Sequence, residues 1–276
     1  MNIKVDLHIH SSWSDGSLGI PHLVRLAKAL GLEAISITDH DITSGQAEAL
    51  EEGKKQGLRI IPGTEISAFN PETGRKAHIL GFHIKDREGL DRACRPFLEA
   101  RHRKNLESVD RITKEGYPIS QDDVKEYASL DGTVYRQHIM HALVDRGYAP
   151  AVYGPLYTKL FGPDGPAAVK ATYMNAEDAV RLVKDCGGLA VLAHPFQYDS
   201  MDYIPRLAAW GLAGIEYHHH THTPLRQEAV IQAARKYKLF LTGGSDFHGF
   251  YSENSLPPGC TGTELPADHP LAAGFA

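Results

Sequence analysis

Cysteine is scarce in this sequence. Three occur in 276 residues, Cys94, Cys186 and Cys260. They are far apart and form no CxxC pair, which argues against a disulfide framework or a cysteine-built zinc knot and fits reduced thiols in a cytosol. Long apolar runs are missing, so there is no candidate membrane span. The first strand pattern begins almost at Met1 and leaves no room for a signal peptide, so a cytoplasmic location is expected. Positive charge is not in excess: 29 Lys and Arg against 34 Asp and Glu leave a net charge of -5. That balance disfavours a binding surface for long nucleic acid. A GxSxG nucleophile elbow and a P-loop are both absent, so neither a covalent serine route nor NTP-motor chemistry is supported. What is abundant is histidine. There are 16, and a side chain that ligates metals and moves protons needs a use in such number.

The length fits one large domain, or one domain plus a cap. Residues 3–8 read as a buried strand. Pro21 opens a helix that Gly31 ends, with Leu23, Leu26, Ala27 and Leu30 on its apolar face. A strand at 34–38, a helix at about 45–56 and a strand over 58–66 complete a βαβαβ rhythm, which implies parallel strands with right-handed crossovers. Pro71-Glu72-Thr73-Gly74 predicts a hairpin turn before a strand at 77–82. From 87 to 170 the patterns are helical: Leu98, His102, Leu106, Val109 and Ile112 form one stripe, and Val134, Ile139, Ala142 and Leu143 another. This predicts a helical insertion or cap over 87–170, set into an α/β body formed by 1–86 and 171–276. The body resumes with helices at 176–186, 202–210 and 224–237 and strands at 189–193, 215–217 and 239–243. The tail beyond Ser252 is rich in Gly and Pro and is expected to wrap the body.

The histidines are not scattered. In a strand, residues two apart share a face, so His8 and His10 aim two imidazoles at one point, and Asp15 lies just beyond in a polar turn. Nearly every later strand also ends on a residue able to bind metal: His40, Glu65, His194, Glu216, and Asp246 with His248. That end of successive strands is where the loops of β/α folds assemble active sites. Imidazole and carboxylate together suit manganese, iron or zinc, and a set without cysteine points to a hydrolytic centre.

The stretches HIHSSWSDGS, ITDHD, GTEIS, AHILGF, AHP and GSDFHG, in this order, resemble the PHP (polymerase and histidinol phosphatase) domain. The helical insert is similar to that of the standalone bacterial phosphoesterases of that family, the TrpH-like and nucleotide phosphatase group. The resemblance implies a distorted (β/α)7 barrel holding three divalent metals (Mn2+, Fe2+ or Zn2+). It implies one metal on His8, His10, Glu65 and Asp246, and a second on Glu65, His78 and His194, with Glu65 bridging. A third falls to Asp15, His40 and His248. It further implies attack on phosphorus by a hydroxide bridging two metals, with Asp246 and His248 managing proton transfer. Arg136 and His138, in an Arg-x-His at the start of a cap helix, match residues that reach a substrate phosphate in such relatives, and His222 matches a histidine near the substrate. His141 is a further candidate there. His218, His219 and His220 depart from the family's usual small residues. The run Arg101-His102-Arg103-Lys104 reads as a solvated helix face.

The expected activity is hydrolysis of a phosphate ester of a small nucleotide or sugar phosphate, such as a nucleoside 3',5'-bisphosphate or monophosphate. Within phosphoesterases, a cyclic ribose phosphate dihydrolase and a 5'-3' oligoribonuclease are the alternatives. A metal amidohydrolase is disfavoured because Glu65 occupies the bridging place and no strand-end lysine is evident. A non-catalytic PHP module is disfavoured because no ligand position is lost. Oligomeric state is not legible.

Overall fold

The computed structural model describes residues 2–254 and 256–272. Its strands are β1 (Ile3–Ile9), β2 (Ala34–Ile37), β3 (Arg59–Ile60), β4 (Gly63–Ile66), β5 (Ala68–Phe69), β6 (Ile79–Phe82), β7 (Met174–Asn175), β8 (Leu189–Leu192), β9 (Gly214–His218), β10 (Phe240–Gly243) and β11 (Thr263–Leu265). The helices are α1 (Ile20–Ala29), α2 (Gln46–Gln56), α3 (Arg87–Lys114), α4 (Gln121–Lys125), α5 (Arg136–Asp145), α6 (Pro155–Phe161), α7 (Ala176–Asp185), α8 (Ile204–Trp210) and α9 (Pro224–Tyr237). Among the described residues no helix is long and apolar enough to cross a membrane.

Local chemistry sets these elements. Pro21 stands in the first turn of α1, where its missing N–H costs nothing, and Ile20, Leu23, Val24 and Ala27 turn inward. Gly57, with φ of 63°, closes α2 in the left-handed region. The stretch expected as a single strand over 58–66 is two. Arg59–Ile60 pairs with β2, Pro62 interrupts, and Gly63–Ile66 joins another sheet. A proline offers no ladder N–H, so the chain changes sheet there.

The strands form a sheet ordered β11-β1-β2-β3, a second ordered β10-β9-β8-β6-β4, and a small β5-β7 pair. Neighbours β1, β2 and β3 are parallel, as are β8, β9 and β10. The strand predicted after the hairpin, β6, runs antiparallel to both β4 and β8. The tail adds β11 antiparallel to β1, which its Gly/Pro content had not announced.

Two seams bring the larger sheets together, each held by a buried polar side chain. At the first, Gln46 donates from Nε2 to the carbonyls of Ile37 (2.8 Å) and Gly63 (2.6 Å), tying β2 to β4. A single bridge joins His40 to Glu65 just beyond. At the second, Asp6 of β1 accepts the N–H groups of His8 (3.2 Å), Ser245 (3.0 Å) and Gly259 (2.6 Å). The Asp246 N–H donates to the His8 carbonyl at 2.9 Å, and the His10 N–H to the Phe247 carbonyl at 2.9 Å. Unpaired, these buried groups would each cost about 1–3 kcal/mol, so the satisfied pairs fix the seams' register.

Helices α3 to α6 carry their own apolar cluster, including Val109, Ile112, Val134, Ile139, Leu143 and Leu160, separate from the clusters around the sheets. The stripe expected on α3 holds at Val109 and Ile112. Leu106 is partly buried against the same cluster, and upstream the buried face follows Leu90, Cys94, Lys104, Asn105 and Ser108 instead of Leu98 and His102.

Gly244 marks the tightest approach at the second seam: a Cβ there would lie 2.2 Å from His8 Cβ and 2.6 Å from His8 N. Gly244→Ala must push β10 off β1. Urea titration should show a loss of roughly 1–3 kcal/mol. Parent-like stability would mean the seam yields freely.

Candidate metal centre

One carboxylate gathers the site. Glu65, at the middle of β4, is 1% exposed. Its Oε1 lies 2.9 Å from His78 Nδ1 and 2.9 Å from His194 Nε2. Its Oε2 lies 3.4 Å from His8 Nε2, 3.3 Å from His10 Nε2 and 3.2 Å from His40 Nδ1. Five imidazoles from four chain segments thus meet one side chain. The alternation of β1 brings His8 and His10 together, with ring centroids 5.2 Å apart. Asp246 Oδ1 stands 3.4 Å from His8 Nε2 and 3.2 Å from His10 Nε2. Asp15 completes the other side, 3.6 Å from His10 Nδ1, 3.4 Å from His248 Nε2 and 3.8 Å from His40 Nε2.

Donor atoms that could share an ion fall into three overlapping groups: His8, His10, Glu65 and Asp246; His10, Asp15, His40 and His248; and His40, Glu65 and His78. Within each they lie within 4.8 Å of one another. His194 joins through Glu65. The fit to cations is more than proximity. His8 Nε2, both ring nitrogens of His10, Asp15 Oδ1 and His194 Nδ1 are buried without a hydrogen-bond partner. Native interiors rarely leave polar atoms so, and lone pairs converging from imidazoles and carboxylates suit divalent cations.

Surrounding residues aim the donors. His8 Nδ1 lies 3.1 Å from Glu216 Oε1, and Glu216 Oε2 accepts the His194 N–H at 2.7 Å. Glu216 therefore orients the His8 imidazole, as the usual outer partner of a ligating histidine does, and fixes the backbone at His194. Asp39 accepts Ser11 N–H (2.7 Å) and Ser14 Oγ–H (2.6 Å), shaping the loop that carries Asp15. His194 (φ 24°) and Asp246 (φ 54°) both sit in the left-handed region. Strain of this kind persists where surrounding contacts fix the geometry.

The charges are divided. Burial works against His10, yet the nearby carboxylates of Asp246, Glu65 and Asp15 lift it to about 10. His8 is likewise raised against burial by Glu216, Glu65 and Asp246. Burial pushes His78 down to about 4 and His40 well below its ordinary value. Against burial, His40, His8 and His78 hold the Glu65 carboxyl well below the usual range.

A cavity of about 350 Å³ opens on the cluster. Asp15, His40, Glu65, His78, His194, Asp246 and His248 reach it, as do Lys76, Arg101, Lys104, Arg136 and Tyr198. His138 is not among the lining residues. Its Nδ1 accepts the Tyr135 N–H at 3.1 Å, capping α5. His222 is also set back, with Nδ1 2.9 Å from the Tyr217 carbonyl, and His141 lies against the Tyr251 hydroxyl at 2.7 Å. In the histidine run, His220 lines the cavity, His219 Nε2 is 3.6 Å from Asp246 Oδ2, and His218 Nδ1 meets the Gly262 carbonyl at 2.9 Å.

The basic run read as solvated is split by the helix period. Arg103 is exposed, whereas Arg101 and Lys104, three apart, turn inward. Arg101 donates to Asp41 (2.8 Å) and Ser67 (2.6 Å). The continuation of their face through Ser108 and Ile112 was the available signal.

Residues 6–185 match the model of the PHP domain. The chain belongs to the PHP-domain family. It is 40% identical over 245 residues to the phosphoribosyl 1,2-cyclic phosphate 1,2-diphosphodiesterase of Eggerthella lenta, covering 88% of this chain and 94% of that protein. It is 30% identical to the 3',5'-nucleoside bisphosphate phosphatase of Chromobacterium violaceum, covering 89% and 87%. A crystal structure of a candidate metal-dependent phosphoesterase from Bifidobacterium adolescentis superposes with a TM-score of 0.83 at 30% identity, covering 91% of this chain and 90% of that one. This PHP-domain protein is a metal-dependent phosphoesterase, a hydrolase of phosphoric esters.

In the metal-free protein the raised pKa of His10 stabilises the fold fully below about 6.5, and that contribution is lost as pH rises through about 10. Metal binding near neutral pH must displace such protons. Calorimetry at pH 7 in buffers of different ionisation enthalpy should therefore show at least about one proton released per chain as Mn2+ loads. A proton balance of zero would contradict the charge state of His8 and His10.

Proposed function

We propose that the chain holds three divalent cations, Mn2+, Fe2+ or Zn2+. One is assigned to His8, His10, Glu65 and Asp246, a second to Glu65, His78 and His194, and a third to Asp15, His40 and His248. The observation that carries this reading is the convergence of buried, unpartnered nitrogens and carboxylates on Glu65, at the floor of a cavity that Arg136 also reaches. The frame proposed for it is a distorted seven-stranded barrel closed at the two seams, formed by 1–86 and 171–276. Residues 87–170 form a cap domain over it. The single bridges at the seams support the frame, and the separate apolar cluster built on α4–α6 and on α3 from Leu106 onward supports the cap, while Leu90 and Cys94 at the start of α3 pack with the sheets.

The substrate proposed is a small sugar or nucleotide phosphate of the cytoplasm. A cavity of about 350 Å³ suits a single small molecule better than a polynucleotide. Between sugar and nucleotide, the 40% identity to the Eggerthella lenta enzyme favours a cyclic phosphate of a ribose. A nucleoside 3',5'-bisphosphate is the second reading, favoured by the Chromobacterium violaceum relative.

Bound cations would supply an activated water near neutral pH and offset negative charge developing on the phosphoryl oxygens. The protein's own groups do the rest. Glu65 holds the imidazoles in register and would be the carboxylate shared between two of the cations. Arg136, whose Nε has no partner, anchors a phosphoryl oxygen from the cap side. Asp246 and His248, both lining the cavity, are placed to carry a proton toward the leaving ester oxygen. His138 acts through the fold of α5, holding the turn that presents Arg136, and His222 supports the wall beside His219.

The test is phosphate release by the metal-loaded enzyme from ribose cyclic phosphates, nucleoside bisphosphates and oligoribonucleotides, with metal content measured alongside. Turnover should be concentrated on the small substrates. Arg136→Ala should lose roughly 10- to 100-fold in kcat/KM while retaining its metals. Parent-like kinetics of Arg136→Ala on every active substrate would remove the cap-to-phosphate contact.

A further inference from the structure

Two of the proposed cation positions are built by the body alone. Glu216 orients His8 and fixes the backbone at His194, and Glu65, His78 and Asp246 come from β4 and from residues beside β6 and β10. Among the described residues, no hydrogen bond or ring contact from 87–170 reaches His8, His10, Glu65, His78, His194 or Asp246; the cap meets the cluster elsewhere. The place it meets is the third position. Gln137 Nε2 donates to Asp15 Oδ2 at 3.0 Å. The Tyr135 ring faces that of His40, with centroids 6.3 Å apart, and its hydroxyl points at the His40 carbonyl at 3.5 Å. His141 Nδ1 meets the Tyr251 hydroxyl at 2.7 Å, and Gly249–Tyr251 is the short turn directly after His248. One helix, α5, thus supports Asp15, His40 and the segment that carries His248. The cap grips the Asp15 loop a second time, where the Leu130 N–H donates to the Ser12 carbonyl at 2.9 Å.

Gln137 is the middle residue of the Arg-x-His stretch, between Arg136 and His138. An ionised carboxylate only accepts hydrogen bonds, so the amide must turn its NH2 toward Asp15. The same Nε2 lies 3.2 Å from the Tyr153 hydroxyl, and Tyr153 packs on Tyr157 of α6 with centroids 4.8 Å apart. The amide is therefore fixed from the cap side. The consequence falls on Asp15. Its Oδ2 is occupied by Gln137. Its Oδ1 is buried without a hydrogen-bond partner, 3.4 Å from His248 Nε2 and 3.6 Å from His10 Nδ1. One oxygen is anchored and the other is left for a cation. An outer partner of this kind fixes the direction of a ligating carboxylate and strengthens its hold on the metal.

We infer that Gln137 is a positioning residue for the third cation: it holds Asp15 Oδ2 so that Oδ1 faces the ion, and it makes occupation of that position depend on the seating of the cap. This rests on the three-cation reading above and deepens it. Two ions belong to the body, and the third is assembled across body and cap. Linkage makes the dependence mutual, so the third ion holds the cap down by the same free energy with which the cap holds the ion.

The test is stepwise Mn2+ binding to the intact chain, read by competition with a chelator of known affinity, and it needs no substrate. The parent should take up three ions. Gln137→Leu is close in size and has no donor. It should weaken one ion by about 10- to 100-fold and leave the other two within about threefold of the parent. Anomalous peaks from crystals grown at limiting Mn2+ identify the weakened ion, which should be the one beside Asp15. Tyr153→Phe removes a single hydroxyl and should weaken the same ion by about 3- to 10-fold, which keeps the test open if Gln137→Leu does not fold.

Amide hydrogen exchange reads the other side of the linkage. In the parent, exchange across α5 should slow as the third ion binds, and in Gln137→Leu that slowing should be largely lost at the same Mn2+ concentration. Unchanged affinities in both variants, or parent α5 amides indifferent to the third ion, overturn the inference while the three-cation reading stands. Equal weakening of all three ions makes Gln137 a structural residue and overturns it as well. A parent that takes up fewer than three ions defeats the three-cation reading, and the inference falls with it.

Discussion

The structure depends on the Glu65 carboxylate and the five imidazoles packed around it. A carboxylate that is 1% exposed would be expensive alone. It is tolerated because His8, His10, His40, His78 and His194 surround it at 2.9–3.4 Å. The burial that makes the cluster costly also makes it selective. Its donors cannot all be satisfied by protons, since His78 and His40 resist protonation while His8 and His10 hold it. Divalent cations resolve that conflict for every donor at once, which is why a hydrolytic metal centre follows from the electrostatics as well as from the motifs.

The cluster can exist only if strands from two sheets end at one place. The seams do this with few atoms. Gln46 bonds across one and Asp6 across the other, and each position sits within a few residues of a metal-capable side chain. Gly63 and Gly244 allow the close approach: a Cβ on Gly63 would meet Ser36 Oγ at 2.4 Å, and one on Gly244 would meet His8. Rigid strands hold the donors, and the loops beyond them, held by Asp39 and Glu216, hold the rest.

Much of this was legible because it is local. Alternation along β1 pairs His8 with His10 without any tertiary knowledge, and the repeated placement of His and acidic residues at strand ends needs only strand boundaries. The order of the motifs carried the family. What escaped reading lies in long-range choices. Nothing near residues 77–82 states that β6 runs antiparallel to β8, and Pro62 divided a strand whose hydrophobicity looked continuous. The roles of Gln46 and Asp6 depend on which carbonyls and amides arrive from over 200 residues away in the case of Ser245. Lys104 sat in a run of charges that looks solvated until the helix period is applied through Ser108. His138 and His222 matched motif positions, and their ring nitrogens meet backbone groups behind the cavity wall.

The most direct measurement is anomalous diffraction from crystals of the chain loaded with Mn2+. Three peaks should appear within the imidazole–carboxylate cluster, two of them at bonding distance, about 2.0–2.4 Å, from the Glu65 carboxylate oxygens. A density map with no ion bonded to Glu65, and with His8, His10, His78 and His194 turned away from one another, would contradict the central claim.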